Sequence, residues 1–564
     1  MRALIVIIFC VFGVAAAPTE AIKVDQVGYW THAQKQAFVI ASKGATGFLL
    51  RRADDSAVVF RGRLSVPAYD ADSGDRLQLA DFSTFETDGR FYIEVPGVGR
   101  SWSFSIGPSV YRRAFYLAMR SFYGQRCGTA VDLGPQFPGF KHAACHLTAN
   151  YHPSSGKAGP QVSTRGWHDA GDYGRYIVNS GIATGELLWT WELFGSRIEK
   201  ISLDIPESNN SIPDMLDEIR WNLDWMLTMQ DEDGGVWPKQ TSERFADFVI
   251  PEKDALASYV IGTGKEPYKS SAAAADFAAV MAIAARVYKP FDPAYAQRCL
   301  SAAERAWAWL QKYPNVTFRN PDGVLTGEYG DRDPSDEILW AAAELWRTTK
   351  TQDYERYFLN HYSEQLSSLA AGPPSWQRVG SLALWAYMLG FRADEKAKNE
   401  IEKLTLKAAD EIVARTNRSG YFNSLVTRDY VWGSNGVVAN YGLQLLIAYR
   451  VLPLPVYVWA ANDNLHYLFG RNTFSLSWVT QLGENPVRHP HHRPSQADDN
   501  SEPWPGLLSG GPNRSRQDPA MRKLPDLPPA KMYLDEFGSY ATNEIAINWN
   551  APLVFVLAAF TQEY

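Results

Sequence analysis

The stretch "SSAAAADFAAVMAIAARVY", residues 270–288, is apolar on nearly every face of the helix that its residues favour. A helix of this kind is buried on both sides, so it lies between two further layers of structure. From Tyr111 onward the same helical period recurs, without a repeat of fixed length. We expect a mainly α region in which six inner helices lie within a ring of six outer helices; a simpler helical solenoid is the alternative. The twelve predicted helices span 110–124, 174–195, 212–230, 270–288, 294–312, 335–349, 352–370, 376–390, 394–415, 433–450, 455–470 and 550–561.

The first part of the mature chain has a different period. Phe91, Ile93 and Val95 alternate with polar or smaller residues, and turn residues recur about every ten positions. A period of two with regular turns predicts a small β-sandwich, which we expect to end at Gly107. The domains predicted from these patterns are a sandwich at 18–107 and a helical domain at 108–564.

The N-terminus indicates export. Arg2 precedes the apolar run "ALIVIIFCVFGV", and the small residues "AAA" before Pro18 suit cleavage near Ala17. Residues 1–17 therefore have the form of a signal peptide, and the apolar run is too short for a membrane span. We expect a secreted or periplasmic protein without a membrane span.

The composition narrows the range of partners. A net charge of -7 gives no basic surface for nucleic acid. Aromatic residues make up 13% of the chain, with 19 tryptophans. They serve either a large helical core or flat stacking surfaces along a sugar-binding cleft, and the composition leaves both open.

Three polar, glycine-rich stretches carry the candidate chemistry. "WHDAGDYGRY" (167–176) sets Asp169 and Asp172 three residues apart, where two like charges repel each other. "SWVTQLGENPVRHPHHRPS" (477–495) contains His491 and Arg493. Taken singly, an acid pair is more often a helix cap with a turn residue, and a histidine cluster is either metal-binding or a surface loop.

The third stretch is "YLDEFGSYATNEIAINWNAPLVF" (533–555), which contains Asp535 and Glu544. Pro552 suits the first turn of a helix that follows Asn550, so Glu544 lies in the segment entering the last helix. Burial at such a point raises the pKa of a carboxyl group, as a general acid requires near neutral pH.

The cysteines suggest a metal site. Removal of the signal peptide leaves three cysteines, an odd number for an exported protein. Two thiolates and two imidazoles, from Cys127, Cys145, His146 and His168, suit a tetrahedral zinc site. The alternative is a disulfide between Cys127 and Cys145. Cys299 lies in a predicted helix, where we expect a separate buried thiol.

A second metal would be calcium. The turn "GEYGDRDPSDEILW" gathers Asp331, Asp333, Asp336 and Glu337 at the start of a helix. Calcium takes several oxygen ligands from turns of this kind, but acids are also favoured at helix starts without a metal.

Together the three stretches resemble the signatures of glycoside hydrolase family nine, the inverting cellulases. "DAGDYGRY" looks like the family's paired-aspartate motif, "GEN" followed by "PHHRPS" like its histidine–arginine motif, and Tyr533 to Ala551 like its C-terminal signature. The strand "VDQVGY" (24–29) resembles the immunoglobulin-like domain of one branch of the family. The resemblance implies an (α/α)6 barrel, hydrolysis of β-1,4-glucosidic bonds of cellulose or related glucans, and structural zinc.

The resemblance also implies residue roles. Glu544 would be the general acid and Asp172 the base that activates water, while Asp169 would share that water. Asp535 would support the loop of the acid. His491 and Arg493 would hold sugar hydroxyls. Tyr540 and Trp167 would be either ring contacts or residues of the core. We expect a poly- or oligosaccharide substrate, no organic cofactor and a monomer.

Two other functions stay open at this stage. One is an exo-acting β-glycosidase, such as an exo-β-glucosaminidase on chitosan oligosaccharides, and the other is a glycan-binding protein without activity. "GGVWPKQT" has Trp237-Pro238-Lys239 where the family more often has Tyr-His-Lys, which affects the prediction of sugar subsites. No appended binding module is visible, which favours soluble or amorphous glucan over crystalline cellulose.

Overall fold

The structure is a computed structural model that describes residues 17–42, 44–162 and 164–563. The predicted signal peptide lies outside the described residues except for Ala17.

The first part of the chain is a β-sandwich of two sheets. One sheet has the strand order β1-β3-β7-β6, and the other has the order β2-β10-β8-β4-β5 with β9 paired to β8. Tyr29, Val39, Leu50 and Ile93 are among the fully buried residues between the sheets. The strands are β1 (Ile22–Lys23), β2 (Gly28–Tyr29), β3 (Gln36–Ile40), β4 (Gly47–Arg52), β5 (Val58–Arg63), β6 (Ala68–Tyr69), β7 (Arg76–Asp81), β8 (Gly89–Val95), β9 (Gly99–Arg100) and β10 (Phe104–Ile106).

Helices form the rest of the molecule. Within the described residues, twelve of them are nine residues or longer, as the periodicity predicts. They are α1 (Arg112–Gly124), α2 (Ile177–Ile198), α3 (Asp214–Thr228), α4 (Ser271–Tyr288), α5 (Pro293–Leu310), α6 (Ser335–Thr349), α7 (Gln352–Gln365), α9 (Gly380–Met388), α10 (Glu395–Thr416), α11 (Ser434–Val451), α12 (Pro455–Leu468) and α15 (Ile547–Ala559). Three short helices are α8 (Ser368–Ala371), α13 (Arg493–Ala497) and α14 (Tyr540–Asn543).

The long helices form two concentric rings. Neighbours in the inner ring pack in the order α15, α2, α4, α6 and α9, and α11 packs against α15. The outer helices α3, α5, α7 and α12 pack against α2, α4, α6 and α11 in turn. In α4, every residue except Arg286 is buried, as expected for a helix that is apolar all round. The predicted (α/α)6 barrel behind an immunoglobulin-like sandwich is confirmed.

Helix α4 is also the one described helix that is long and apolar enough to cross a membrane, and 94% of it is buried inside the protein. It is a core helix of the barrel.

Several predicted helix limits are wrong by three residues or more. The segment predicted as one helix at 352–370 is divided into α7 and α8. The last helix begins at Ile547, before Asn550, so Pro552 lies inside it. Its start is fixed by the loop of the paired aspartates, because the Ile547 N–H donates to the Asp169 carbonyl oxygen at 2.9 Å.

Short strands in the long loops form a further sheet of order β14-β13-β17-β16-β15. The loops before α2, α6, α9, α11 and α15 meet at one end of the barrel. The candidate site lies at this end. The loop strands are β11 (Val131–Asp132), β12 (Lys141–His142), β13 (Thr148–Tyr151), β14 (Pro160–Val162), β15 (Arg175–Tyr176), β16 (Lys239–Thr241) and β17 (Tyr259–Ile261).

Candidate active site

A cleft of about 520 Å³ opens at the N-terminal ends of the inner helices. Asp169, Asp172 and Glu544, which lie up to 375 positions apart in sequence (544 − 169), all line it. The aromatic residues that line it are Tyr176, Phe245, Tyr329, Trp376, Trp432 and Trp549. The cleft therefore combines carboxyl groups with flat apolar surfaces.

The paired aspartates are held by different donors. The Asp169 carboxyl accepts hydrogen bonds from the Asn179 side-chain amide and the Tyr329 hydroxyl, both at 2.7 Å. Asp172 Oδ2 accepts from the Gly174 N–H at 3.0 Å and from the Tyr176 hydroxyl at 3.2 Å. Both carboxyl groups are therefore fixed in orientation before any substrate arrives.

The close packing of two loops requires a glycine between the aspartates. A Cβ atom on Gly171 would lie 2.1 Å from the carbonyl oxygen of His491. The Arg493 N–H and its Nη1 both donate to the Gly171 carbonyl, at 3.2 and 2.7 Å. The aspartate loop and the histidine–arginine loop thus form one unit.

Burial distinguishes the protonation behaviour of the acids. Burial, followed by the charge of Asp172, raises the pKa of Asp169 to about 8. Burial and the two aspartate charges raise the pKa of Glu544 well above its usual value. Glu544 is enclosed by protein on most sides but stays partly accessible through the cleft. The site favours a proton on Glu544 and a single negative charge on the aspartate pair near neutral pH.

Glu544 lies in a well-anchored segment. Its carbonyl accepts from the Gly510 N–H at 2.7 Å, and its backbone pairs with that of His491. The Glu544 side chain is bonded as well, because the Trp432 indole N–H donates to its Oε2 at 3.1 Å. Both the backbone and the carboxyl group of Glu544 therefore have defined positions.

Asp535 and Asn543 join the two loops near Glu544. The Asp535 carboxylate accepts from the N–H groups of Arg488 and His489, both at 2.9 Å, and from the Asn543 side chain at 3.0 Å. Asn543 also donates to the His489 carbonyl at 2.6 Å. Asp535 is placed to hold the loop that precedes Glu544, and it does not line the cleft.

The other predicted sugar contacts lie beside the cleft. His491 Nδ1 is 2.7 Å from the Phe537 carbonyl, and burial lowers its pKa. Arg493 Nε donates to the Ala246 carbonyl at 2.9 Å, and its guanidinium lies over the Phe248 ring. Tyr540 packs against the rings of His491 and Trp432.

Trp167 is not a cleft residue, and its prediction as a sugar contact is wrong. It is 0% exposed, packs on Phe122 and donates its indole N–H to Glu218 at 2.8 Å. The residues that sequence reasoning missed include Trp376, Trp432 and Trp549, which lie near the starts of α9, α11 and α15. A search for aromatic residues at the N-terminal ends of buried helices is the signal that would have found them.

Lys239 was also missed as part of this region. It is fully buried, and its ammonium donates to Asn320 Oδ1 at 2.8 Å, Thr326 Oγ1 at 2.9 Å and the Gly327 carbonyl at 2.8 Å. The Gly327 N–H in turn donates to the hydroxyl of Tyr176, which bonds Asp172. Trp237 and Pro238, the two departures from the family pattern, are buried and do not line the cleft.

The predicted metal ligands do come together. One ligand atom each from Cys127, Cys145, His146 and His168 lies within 4.8 Å of the others. No disulfide joins the two cysteines, so that alternative is wrong, and Cys299 is a separate buried thiol.

The second ring nitrogen of His146 supports metal binding. His146 Nε2 lies 3.2 Å from Asp254 Oδ2, whereas the buried Nδ1 has no hydrogen-bond partner. A carboxylate on one imidazole nitrogen and a metal on the other is a common arrangement in proteins. The donor set fits a closed tetrahedral metal site, and it is the one cluster of three or more such ligands among the described residues.

Two of the predicted calcium ligands accept backbone N–H groups. Asp336 Oδ2 accepts the N–H groups of Val379 and Gly380 at the start of α9, and Asp333 accepts that of Ser335. Glu337 is fully buried beside Asp276 of α4. Neither carboxylate oxygen of Glu337 has a hydrogen-bond partner, and calcium binding stays an untested prediction.

Comparison with known proteins agrees with this geometry. Residues 111–557 match the model of glycosyl hydrolase family 9, and residues 17–100 match that of the cellulase N-terminal ig-like domain. The chain is 38% identical to endoglucanase D of Acetivibrio thermocellus over 96% of this chain and 83% of that protein. It is 36% identical to the xyloglucan-specific endo-beta-1,4-glucanase BoGH9A of Bacteroides ovatus, over 97% and 94% of the two chains.

A solved structure is similar over nearly the whole length. The Zn-binding triple mutant of the family 9 endoglucanase J30 superimposes with a TM-score of 0.89 at 35% identity, covering 95% of this chain and 100% of that one. The chain belongs to glycosyl hydrolase family 9, with an immunoglobulin-like domain in front of the barrel.

Proposed function

We propose that this chain is an endo-β-1,4-glucanase that hydrolyses cellulose or a related β-glucan with inversion at the anomeric carbon. The observation that carries the proposal is the cleft itself, in which Glu544 and the Asp169–Asp172 pair meet among aromatic side chains. Two relatives that match this chain over most of its length are named as endoglucanases.

In this proposal Glu544 is the general acid. Its raised pKa keeps it protonated near neutral pH, so it can donate a proton to the glycosidic oxygen as the bond from that oxygen to C1 breaks. Loss of that proton leaves a carboxylate that bulk water reprotonates after the product departs.

Asp172 is the general base. It accepts a proton from water while the water oxygen forms the new bond to C1 from the opposite face of the sugar. Asp169 carries a proton below a pH of about 8, so it adds no second negative charge beside the base. Asn179 and Tyr329 hold Asp169 beside this water position.

The metal in this proposal is zinc, held by Cys127, Cys145, His146 and His168. Zinc would contribute a structural tie and would take no part in the reaction. His168 directly precedes Asp169, so the metal would hold the aspartate loop against the segment around Cys127.

Export and a monomeric state complete the proposal. The signal-peptide pattern of residues 1–17 supports secretion or passage to the periplasm. The three carboxyl groups and the four metal ligands come from one chain, which supports a monomer. A domain boundary at residues 107–108 fits the end of β10 at Ile106 and the start of α1 at Arg112.

The test is Glu544→Gln, with Glu536→Gln as the control. Glu536 is an exposed acid in the same segment. Hydrolysis of cellotetraose should fall by about 10² to 10⁴ in the first variant, because general acid catalysis is lost, and should stay unchanged in the second.

The products separate this function from the alternatives. NMR of wild-type hydrolysis should show the α-anomer first, and cleavage of long soluble glucans should release mixed short oligosaccharides. Early release of single sugars would instead favour an exo-acting enzyme, and full activity of Glu544→Gln would remove the assignment of the acid.

A further inference from the structure

The indole of Trp432 makes a specific contact with the carboxyl group of Glu544. Its N–H donates to Oε2 at 3.1 Å, and the side chain is 38% exposed in the cleft. Within the described part of the chain, the Glu544 carboxyl makes no other hydrogen bond. The proposed reaction gives this contact no role.

The position of Trp432 is set by its neighbours. Gly433 follows it with a φ of +83°, and a Cβ there would lie 2.5 Å from the Trp549 ring. Trp549 therefore packs directly under this turn. On the other side, the Tyr540 ring lies 5.5 Å from that of Trp432. Trp549 thus supports the backbone turn behind Trp432 and Tyr540 lies beside its indole, and these two contacts orient the N–H.

An indole N–H can donate a hydrogen bond but cannot accept one. Oε2 must therefore act as an acceptor whether Glu544 is ionised or protonated. The carbonyl oxygen of a protonated carboxyl group accepts better than its hydroxyl oxygen, so this contact favours the acid proton on Oε1.

We propose that Trp432 is a positioning residue that directs the acid proton of Glu544 to Oε1 and so aims it into the cleft. The inference rests on the proposed role of Glu544 as general acid. It assigns to the Trp432 N–H a task that is separate from any stacking of its ring on sugar.

The contact between Trp432 and Glu544 also affects the pH dependence of activity. The charge of Asp172 raises the pKa of Glu544, as does that of Asp169 where it is ionised, whereas Arg493 and the Trp432 N–H lower it. Tyr329 also interacts with Glu544 and is neutral in this pH range. Loss of the N–H removes a stabilising contact to the carboxylate, so the alkaline limb of activity should move to higher pH. If the substitution only let water reach the Glu544 carboxyl group, its pKa would fall and the alkaline limb would move to lower pH.

The experiment compares Trp432→Phe with Trp376→Phe. Both positions line the cleft, but Trp376 packs on Tyr329 and makes no hydrogen bond to Glu544. Each variant is assayed on cellotetraose, whose leaving group needs a proton, and on 2,4-dinitrophenyl cellobioside, whose leaving group does not. The ratio of the two rates in one sample is independent of the fraction of folded enzyme.

In Trp432→Phe, kcat on cellotetraose should fall about 10- to 100-fold more than kcat on the aryl glycoside, which is the size expected for one hydrogen bond to a charged group. The alkaline limb of its pH profile should move to higher pH. In Trp376→Phe, both substrates should lose activity by the same factor and the limb should stay in place. Equal losses in Trp432→Phe, or a lowered limb, would overturn the inference. Activity of Glu544→Gln on cellotetraose would instead overturn the proposed function.

Discussion

Three carboxyl groups of one cleft have different environments, and these environments determine where the protons are. Asp169 is 1% exposed and bonded only to neutral donors, so its charged form is disfavoured. Asp172 accepts hydrogen bonds from a backbone N–H and a tyrosine hydroxyl. It lines the cleft, where water can reach it. Because the two aspartate carboxyl groups lie close together, a single negative charge on the pair is favoured over two.

This arrangement predicts a pH effect for Asp169→Asn. The folded pKa of Asp169, about 8, lies above the ordinary value of 3.8, so the folded state holds a proton that the unfolded state releases. The contribution of Asp169 to the free energy of unfolding of the wild type should therefore be largest below pH 3.8. It should decline as the pH rises towards 8. The decline is on the order of 1 kcal/mol per pH unit.

Asp169→Asn cannot titrate, so its free energy of unfolding should change less between pH 5 and pH 8, and its activity should fall by roughly 10²-fold or more. Urea unfolding at several pH values measures the slope. Asp322→Asn, at an exposed position, should keep the wild-type slope. A wild-type slope in Asp169→Asn would show that Asp169 is ionised in the folded protein.

At this scale the sequence predicted the acids and missed their partners. Asp169, Asp172 and Glu544 stand in local motifs, so their presence in one cleft could be anticipated. Tyr329 and Trp432 lie in segments distant in sequence, and only the closure of the barrel brings them to the acids. Trp167 failed as a prediction because a tryptophan inside a motif looks the same whether it faces the cleft or the core.

At the scale of elements, the loop before α2 connects the candidate metal site to the active site. His168 and Asp169 are adjacent, so a candidate metal ligand and an active-site carboxyl group belong to neighbouring residues of one loop. The same loop is bonded to the start of α15 through the Asp169 carbonyl. The helix limits that sequence predicted poorly, at α15 above all, are those set by such contacts between distant segments.

Metal removal should therefore act on stability before activity. We expect one zinc per chain, and we expect a strong chelator to lower Tm by several degrees while the folded enzyme keeps most of its activity at low temperature. Cys145→Ser should lose the metal and the effect of the chelator. Cys299→Ser removes a buried thiol outside the cluster and should retain both. Elemental analysis and thermal unfolding measure these outcomes; a metal-free wild type with unchanged Tm would contradict the zinc proposal.

At the scale of the whole molecule, the β-sandwich supports the loops of the active site. Gln26 accepts the N–H groups of Glu484 and Asn485 at 3.0 and 2.6 Å and donates to the Ser475 carbonyl at 2.8 Å. These residues precede the segment that carries His491. A second contact, from the loop between β6 and β7, reaches the segment that leads to Asp535.

Asp75 forms this second contact. Its carboxylate accepts from Lys531 Nζ at 2.6 Å, the Tyr421 hydroxyl at 2.6 Å and Thr473 Oγ1 at 2.8 Å. Burial alone would raise the pKa of Asp75, but these three hydrogen bonds outweigh it and lower the pKa. One carboxylate of the sandwich therefore ties together three loops of the barrel. The periodicity predicted two separate domains, and only the folded contacts reveal that they are coupled.

Asp75→Asn should weaken this coupling, because an amide cannot accept from all three donors and leaves the Lys531 charge without its partner. We expect a loss of about 1–3 kcal/mol in the free energy of unfolding at pH 7 and a fall in kcat, since the loops of His491 and Asp535 become less well held. The folded pKa of Asp75 lies below 3.8, so the stabilisation is present above that pH and should vanish as pH falls through the folded pKa. Asp55→Asn, in an exposed turn of the same sandwich, keeps its contacts within the domain and should leave both quantities unchanged. Urea unfolding and initial rates on soluble glucan measure the two effects. If Asp75→Asn lost stability but kept its kcat, the sandwich would stabilise the barrel without positioning the catalytic loops.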